Sequence, residues 1–110
     1  SDLKSCDDFV GAYENGETVE EAKIKTSAVG CNLDGISVRR CEFVGCRFDG
    51  GRFLRSDFSD VIFRNCSFSN CDFRESRFER CEFSGCKCVG AKFVSASFQD
   101  VAIDGGTLAM

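Results

Sequence analysis

Cysteine is the residue type in this chain with the widest range of chemistry. The sequence has nine Cys but no His, so it lacks the commonest general base and metal ligand. Three pairs of Cys are spaced five residues apart: Cys41/Cys46, Cys66/Cys71 and Cys81/Cys86. No nucleophile–base pair, paired-acid motif or phosphate loop accompanies them. An enzyme is therefore not expected, and whether the Cys pairs bind zinc depends on the elements that position them.

The cysteines follow a repeat of five residues that is set by phenylalanine. Eleven of the twelve Phe share one phase, in which Cys88 fills the single vacancy. The eleven are Phe43, Phe48, Phe53, Phe58, Phe63, Phe68, Phe73, Phe78, Phe83, Phe93 and Phe98. Seven of the nine Cys lie two residues before a position of this phase. A period of five fits neither an α-helix nor an alternating strand. Residues two apart point the same way in a strand, so each unit is a short strand followed by a corner, with Phe and Cys inside.

Units such as Cys41-Glu42-Phe43-Val44-Gly45 and Cys71-Asp72-Phe73-Arg74-Glu75 resemble the repeats of the pentapeptide-repeat protein family. The resemblance extends from about Thr26 to the C-terminus. It implies an all-β fold, a right-handed quadrilateral parallel β-helix with four units per coil and about four coils. The domain division that follows is an N-terminal cap over residues 1–27 and a β-helix over residues 28–110.

The last residue of each unit predicts two kinds of corner. Sorted in steps of twenty residues, two columns consist of Gly and Asn apart from Met110, and two contain mostly charged residues. Gly and Asn accept positive φ, as the third position of a type II turn requires. We therefore expect positive φ at Asn65 and Asn70. The residues expected to have negative φ are Arg55, Asp60, Glu75 and Arg80.

The step of twenty also predicts columns of like residues on neighbouring coils. Phe58, Phe78 and Phe98 should stack, as should Phe53, Phe73 and Phe93, while Phe63 and Phe83 should be fully buried. Two charged columns should pair opposite charges between coils: Arg40, Asp60, Arg80, Asp100 and Asn32, Arg52, Asp72, Lys92.

The same geometry places the cysteines in the interior as small apolar side chains rather than as metal ligands. Cys46, Cys66 and Cys86 would form one column, but parallel side chains give poor disulfide torsions. We therefore predict reduced thiols, no metal and no cofactor. Persistent thiols favour a reducing, cytoplasmic location. No apolar run is long enough to cross a membrane, and no signal peptide is recognised.

The N-terminal cap is predicted to be short helical or irregular structure. Ser5 precedes an acidic first turn and is a candidate N-cap, and Thr18 with Glu21 fits a capping box. Apolar residues on this segment would cover the open edge of the first coil: Phe9, Val10, Tyr13 and Ile24. Only the Cys6 thiol is expected to be accessible.

Charge limits the classes of partner. The net charge is −4, and residues 31–110 hold eleven acids and eleven bases, so the rod itself is neutral. Such a surface attracts neither nucleic acid phosphates nor an anionic membrane, and we expect neither as a partner.

Two functions remain. The first is a non-catalytic protein–protein interaction or scaffold module of the kind that solenoids provide, with an unidentified protein partner. The alternative comes from the resemblance, because some pentapeptide-repeat proteins are DNA-mimicking binders of bacterial DNA gyrase that confer quinolone resistance. The neutral rod and its unbroken phase argue for the first.

Two surfaces are candidates for contacts. The first is a set of apolar residues at outward positions: Val44, Leu54, Ile62, Val89 and Val94. Val44 and Ile62 fall on one side in neighbouring coils and would form a small patch. The second is the C-terminal end, where the last coil would expose Ile103, Leu108 and Met110. An uncovered strand edge invites pairing, which leaves two outcomes: two chains stack end to end, or the chain is a fragment of a longer protein that continues the stack. The resemblance favours the first, because several family members dimerise through this end, so we expect a homodimer.

Overall fold

The computed structural model describes residues 2–3 and 6–107, with side chains from Asp7 onward. One helix, α1 (Cys6–Glu14), follows a short first strand, β1 (Asp2–Leu3). The remaining strands are β2 (Val19–Glu20), β3 (Lys23–Ile24), β4 (Ser37–Val44), β5 (Asp57–Arg64), β6 (Arg77–Glu79), β7 (Glu82–Ser84), β8 (Ser97–Gln99) and β9 (Ala102–Asp104). Every strand pair in these residues is parallel. The protein is thus a stack of parallel coils with little helix.

Each coil has four faces, which we number in chain order by the inward residue at the centre of each unit. Face 1 contains Ala28, Phe48, Phe68 and Cys88; face 2 contains Leu33, Phe53, Phe73 and Phe93; face 3 contains Val38, Phe58, Phe78 and Phe98; face 4 contains Phe43, Phe63, Phe83 and Ile103. Strands β4 to β9 form faces 3 and 4, and isolated parallel bridges such as Arg47↔Ser67 and Arg52↔Asp72 form faces 1 and 2. The predicted quadrilateral β-helix of about four coils is confirmed.

Stacked phenylalanine rings fill the interior. Phe58 lies over Phe78 with centroids 5.1 Å apart and ring planes 7° apart, and Phe78 lies over Phe98 in the same way at 5.1 Å and 4°. The Phe53, Phe73 and Phe93 column is stacked as well. Neighbouring rings along the chain meet edge to face, as Phe63 and Phe68 do, or at a tilt, as Phe78 and Phe83 do, and edge-to-face contacts are favourable for aromatic quadrupoles. Because each ring fills the space between its neighbours, a coil is stable only with another coil against it.

The burial prediction for Phe63 and Phe83 is confirmed, since their side chains are 1% and 4% exposed. Burying a side chain of this size contributes about 1.5–3 kcal/mol. Val61 and Cys81, the inward residues two positions before these rings, are buried as well. At the corresponding positions of another face, the hydroxyls of Ser56 and Ser76 hydrogen-bond to one another and to the Phe53 carbonyl oxygen.

The thiols are packing groups. All eight described Cys are free, and seven are buried: Cys41, Cys46, Cys66, Cys71, Cys81, Cys86 and Cys88. Burial raises the pKa of the Cys71 and Cys88 thiols to about 12, so both stay protonated at neutral pH. Cys71 donates to the Phe48 carbonyl oxygen at 2.9 Å. Within residues 2–3 and 6–107, no three His, Cys, Asp or Glu side chains converge on a point where a metal ion would fit.

The corner prediction is wrong in part. Asn65 and Asn70 have positive φ, as expected, but so do Arg55 (53°), Asp60 (55°) and Glu75 (62°), and Arg80 has φ 52°. Each five-residue unit must turn the chain from one face to the next at a single corner residue, and the coil imposes the left-handed conformation there whether or not that residue is Gly or Asn. This conformation costs an L-residue about 1–2 kcal/mol, which the stacking of coils offsets.

Two kinds of corner do exist, but Gly and Asn do not mark them. Corners after faces 1 and 2 are closed by backbone hydrogen bonds, as from Gly51 N to Phe48 O (2.8 Å) and from Ser56 N to Phe53 O (3.3 Å). Strands β4 and β5 instead continue without interruption through the corner between faces 3 and 4. The hydrogen-bonded turns therefore follow faces 1 and 2, whereas the Gly and Asn columns predict them after faces 4 and 1.

The charged columns pair only partly as expected. Arg80 binds Asp60 across coils through Nε–Oδ1 (2.8 Å), as predicted. Arg40, however, binds Glu20 (2.6 Å) and Glu21 (3.2 Å) in the coil below. In the second column, Arg52 binds Asp34 at 2.9 Å and Asp72 binds Arg74 at 2.8 Å. A charged side chain is as close to the residue two positions along its own strand, or to a diagonal neighbour on the next coil, as it is to the residue stacked directly above or below it.

The N-terminal segment is partly cap and partly coil. Helix α1 covers the first coil with Phe9, which is 1% exposed and packs edge-on against Phe43 (centroids 5.7 Å apart). The expected capping box at Thr18 and Glu21 is wrong, because Val19 and Ile24 lie in strands β2 and β3, opposite Val38 and Phe43 of β4. Parallel pairing thus begins before residue 28. Ser5 and the Cys6 side chain lie outside the described residues.

Candidate interaction surfaces

Val44 and Ile62, the two residues of the predicted patch, both lie on face 4. The register places Val44 opposite Arg64 and Ile62 opposite Glu42, so the two apolar side chains lie on one diagonal of a square. The other diagonal is an ion pair in which Arg64 Nε lies 2.6 Å from Glu42 Oε2. Since that ion pair crosses between them, Val44 and Ile62, both half-buried, flank a charged pair instead of forming a continuous apolar surface.

An open groove runs from this ion pair to the corner with face 3. It has a volume of about 720 Å³ and is lined by Ile62, Arg64, Glu42, Asp60 and Arg40, together with Cys41 and residues 21–23 of the preceding coil. Arg80 donates to the Asp60 carboxylate and lowers its pKa, so Asp60 stays ionised. The groove therefore combines one apolar side chain with fixed charges of both signs.

Faces 1 and 2 hold the other predicted residues. Val89 and Val94 are 44% and 69% exposed, but Leu54 is half-buried. Charged and polar residues separate them along each face. Burial raises the pKa of the Asp49 carboxyl, but hydrogen bonds from Ser67 and Arg47 lower it by more, so the pKa lies below its ordinary value. These faces are thus polar surfaces with single apolar side chains on them.

The two ends of the stack differ. At the N-terminal end α1 buries Phe9 against Phe43 and Phe48. In the last described coil, Phe98 is 46% and Ile103 55% exposed, and β8 and β9 each pair with a single strand within residues 2–107. Ile103 therefore lies at the surface, as predicted for the C-terminal end, while Leu108 and Met110 lie outside the described residues.

Two family profiles match the repeat. The profile described as "Pentapeptide repeat region" matches residues 56–109, and that described as "Pentapeptide repeats (8 copies)" matches residues 29–65. The chain belongs to the pentapeptide repeat family. Among curated protein sequences, none matches this chain significantly.

Solved pentapeptide repeat structures resemble the chain over most of its length. Rfr23 from the cyanobacterium Cyanothece 51142 superposes with a TM-score of 0.77 at 11% identity, over 83% of this chain and 63% of that one. HetL from Nostoc sp. strain PCC 7120, a protein involved in heterocyst differentiation regulation, gives 0.65 at 15% identity, over 78% and 44%. QnrB1, a plasmid-mediated fluoroquinolone resistance protein, gives 0.50 at 32% identity in a trypsin-treated form, over 78% and 45%. This pentapeptide repeat chain spans less than two thirds of each of these structures.

Two features of these surfaces were not predicted from the sequence. Val29, 55% exposed on face 1, occupies the same outward position as Val89 and could have been found by the same rule. The groove beside Ile62 was not predictable, because it depends on β3 lying one residue out of the twenty-residue step, with Ile24 opposite Phe43. In the described part of the chain no helix is long and apolar enough to span a bilayer.

Proposed function

We propose that the protein is a non-catalytic interaction module in which a rigid β-helix presents its faces and its C-terminal end to protein partners. The observation that supports this most directly is the filled interior: the rings stack at 4.7–5.5 Å and the inward small residues are buried. A filled interior leaves the outer surface as the place for a ligand. Free thiols throughout the core favour a reducing, cytoplasmic compartment.

The groove and patch around Ile62 are the proposed contact on the faces. A protein strand or loop with charges of both signs would complement Arg40, Glu42, Asp60 and Arg64 while covering the half-buried Ile62. The partner would thus be polar, in contrast to the apolar C-terminal end.

Affinity capture with matched baits tests this contact. The wild-type chain and the V44S/I62S variant are compared with V89S/V94S, which changes the same residue class on faces 1 and 2. We expect a protein retained by the wild type and by V89S/V94S to be lost from V44S/I62S. Equal retention by all three baits would contradict a contact at face 4.

The proposed self-contact is a homodimer joined at the last coil. Phe98 and Ile103 are half exposed there, and within residues 2–107 no strand pairs with the outer edges of β8 and β9, which could pair with a second chain. Sedimentation of the 110-residue chain at micromolar concentration tests the dimer. We expect about twice the 12.1 kDa mass of one chain, and a single-chain mass at all concentrations would contradict it.

Binding of bacterial DNA gyrase is the second candidate, supported by the 32% identity to the fluoroquinolone resistance protein QnrB1. A mimic of duplex DNA needs a strong negative potential along the rod. Here many of the arginines of the rod form ion pairs with its acids, as in Arg80–Asp60 and Arg64–Glu42. A gyrase supercoiling assay decides between the candidates: activity unchanged by the protein, with and without a fluoroquinolone, is the result expected for the interaction module.

A further inference from the structure

On face 2, an acid of one coil binds two groups of the next coil. Asp34 Oδ1 accepts a hydrogen bond from the backbone N of Leu54 at 3.0 Å. Asp34 Oδ2 lies 2.9 Å from Nη2 of Arg52, which precedes Leu54 by two residues. Because Leu54 N donates to no backbone carbonyl, the carboxylate satisfies an amide that the coil leaves unpaired. A carboxylate therefore fits where such an amide, with a cation two residues before it, faces the preceding coil.

Face 1 holds a second acid in the same way. Asp49 Oδ1 accepts from the backbone N of Ser69 at 3.1 Å and from the hydroxyl of Ser67, which again lies two residues before the amide. Arg47 supplies the cation, with Nη2 at 3.1 Å from Asp49 Oδ2. The arrangement is thus a property of the coil on both faces and does not depend on one particular acid.

The following coil of face 1 presents the same amide to a position that has no acid. Asn70 N donates to Val89 O at 2.9 Å, just as Gly50 N donates to Ser69 O at 2.8 Å. The backbone of Val89 therefore has the register of Ser69, and its N–H points towards the preceding coil. Ser69 stands there in the place that Asp49 holds one coil earlier. Within residues 7–107, the Val89 N–H has no hydrogen-bond acceptor.

Lys87 provides the cation beside this unpaired amide. It precedes Val89 by two residues, as Arg52 precedes Leu54, and its side chain is exposed. No acid of residues 7–107 forms an ion pair with its ammonium group. Its bridge partners are Ser67 in the preceding coil and Thr107 in the following one. The unfilled position therefore lies between paired coils, and its geometry does not depend on how the stack ends.

We propose that Lys87, the Val89 N–H and the Ser69 hydroxyl form a site, the face 1 site, for the carboxylate of an Asp or Glu side chain on a protein partner. One carboxylate oxygen accepts from the amide and the other binds the ammonium group, in charge-assisted hydrogen bonds that are stronger than neutral ones. The inference rests on the proposed interaction module but concerns a second contact, apart from the groove on face 4. It uses the backbone of Val89, which the V89S/V94S bait keeps.

Amide NMR with sodium acetate tests the face 1 site without a partner. At pH 7 and constant ionic strength, acetate in place of chloride should move the Val89 amide proton to lower field, because the amide then donates to a carboxylate. The amides of Leu54 and Ser69, which already donate to acids of the chain, should not move. K87M should need about fivefold more acetate for the same shift. K92M, the matched change on face 2, should behave as the wild type.

The variant S69D tests the same site from within the chain. It places an acid where Asp49 stands one coil earlier, so the new carboxylate should bind the Val89 N–H and Lys87. The Val89 amide proton should then lie at low field without acetate and respond to acetate no further. The melting temperature should rise by about 4 °C, and by less when S69D is introduced into K87M.

Thermal melting of every variant also checks that the coils remain folded. A Val89 amide that responds to acetate no more than that of Leu54, or as strongly in K87M or S69D as in the wild type, would overturn the face 1 site. A larger response to inorganic phosphate than to acetate would overturn its assignment to carboxylates. Neither result bears on the face 4 contact, because affinity capture with the three baits tests that contact separately.

Discussion

The two ends of the β-helix solve the same packing problem differently. At the N-terminal end α1 places Phe9 against Phe43 and Phe48, and Phe9 is 1% exposed. At the other end the stack of Phe58 and Phe78 continues to Phe98, which is 46% exposed. The rings stack with the same geometry, so the difference lies in the neighbour and not in the repeat. A solenoid coil is covered only by the next coil or by a cap.

The largest expected effect contrasts an interior ring with an end ring. Phe63→Ala removes a ring that is stacked between Phe43 and Phe83, and the cavity should cost about 3–5 kcal/mol. Phe98→Ala removes a half-exposed ring and should cost about 1–2 kcal/mol. Urea unfolding measured at low concentration compares the two. Equal losses would show that the last coil is covered in the monomer.

The cap itself gives the next effect. Phe9→Ala should cost about 2–4 kcal/mol, because the ring is buried and leaves a space between α1 and the first coil. Val10→Ala, on the same helix but half-buried, is the control and should cost less. Far-UV circular dichroism and thermal melting measure both. A Phe9 variant as stable as the Val10 variant would mean that α1 does not close this end.

A glycine pair in one corner column gives a smaller effect. Gly85 and Gly105 have φ of 65° and 67°, so Ala at either adds similar backbone strain of about 1–2 kcal/mol. At Gly85 an added Cβ also meets Asn65 Oδ1 at 2.5 Å, whereas at Gly105 it meets nothing within 4 Å. Gly85→Ala should therefore lower the melting temperature more than Gly105→Ala. Asn65→Gly in the Gly85→Ala background should reduce the difference, and an unchanged difference would argue against the side-chain contact.

The smallest effect is electrostatic and depends on pH. Arg80 lowers the pKa of Asp60 below its ordinary 3.8, so its contribution to stability is present above that value and lost as pH falls through the folded-state pKa. The Asp60→Asn variant should lose this contribution, so its melting temperature should fall less than that of the wild type between pH 5 and pH 2. Parallel melting curves across that range would contradict the pairing. High salt should weaken the effect, because the pair is exposed.

The sequence predicts the parts of this protein that depend on a repeat, and misses those that depend on competition between neighbours. The Phe columns and the buried thiols follow from the spacing alone, because inward positions recur every five residues. The φ of Arg55 and Glu75 does not follow from residue preference, since the coil overrides it. The partner of Arg40 is similarly unpredictable, because Glu20 and Glu21 enter the first coil only when β2 pairs with β4. For the candidate surfaces, the exposure of Val89 and Val94 can be predicted from their outward positions in the repeat. The ion pair that lies between Val44 and Ile62 depends on which residues of β4 and β5 lie opposite one another.

Hydrogen exchange measured at two protein concentrations tests most directly whether the C-terminal end is the surface of self-association. Ser97 N and Ala102 N donate to the preceding coil, but the amides of β8 and β9 that point away from it should exchange quickly in dilute protein and become protected at high concentration, when a second copy covers the end. The amides of β2 and β3, already covered by α1 and β4, should exchange at the same rate in both samples. Protection that rises with concentration on the strands of faces 3 and 4 near the N-terminus, or at no strand at all, would contradict the account.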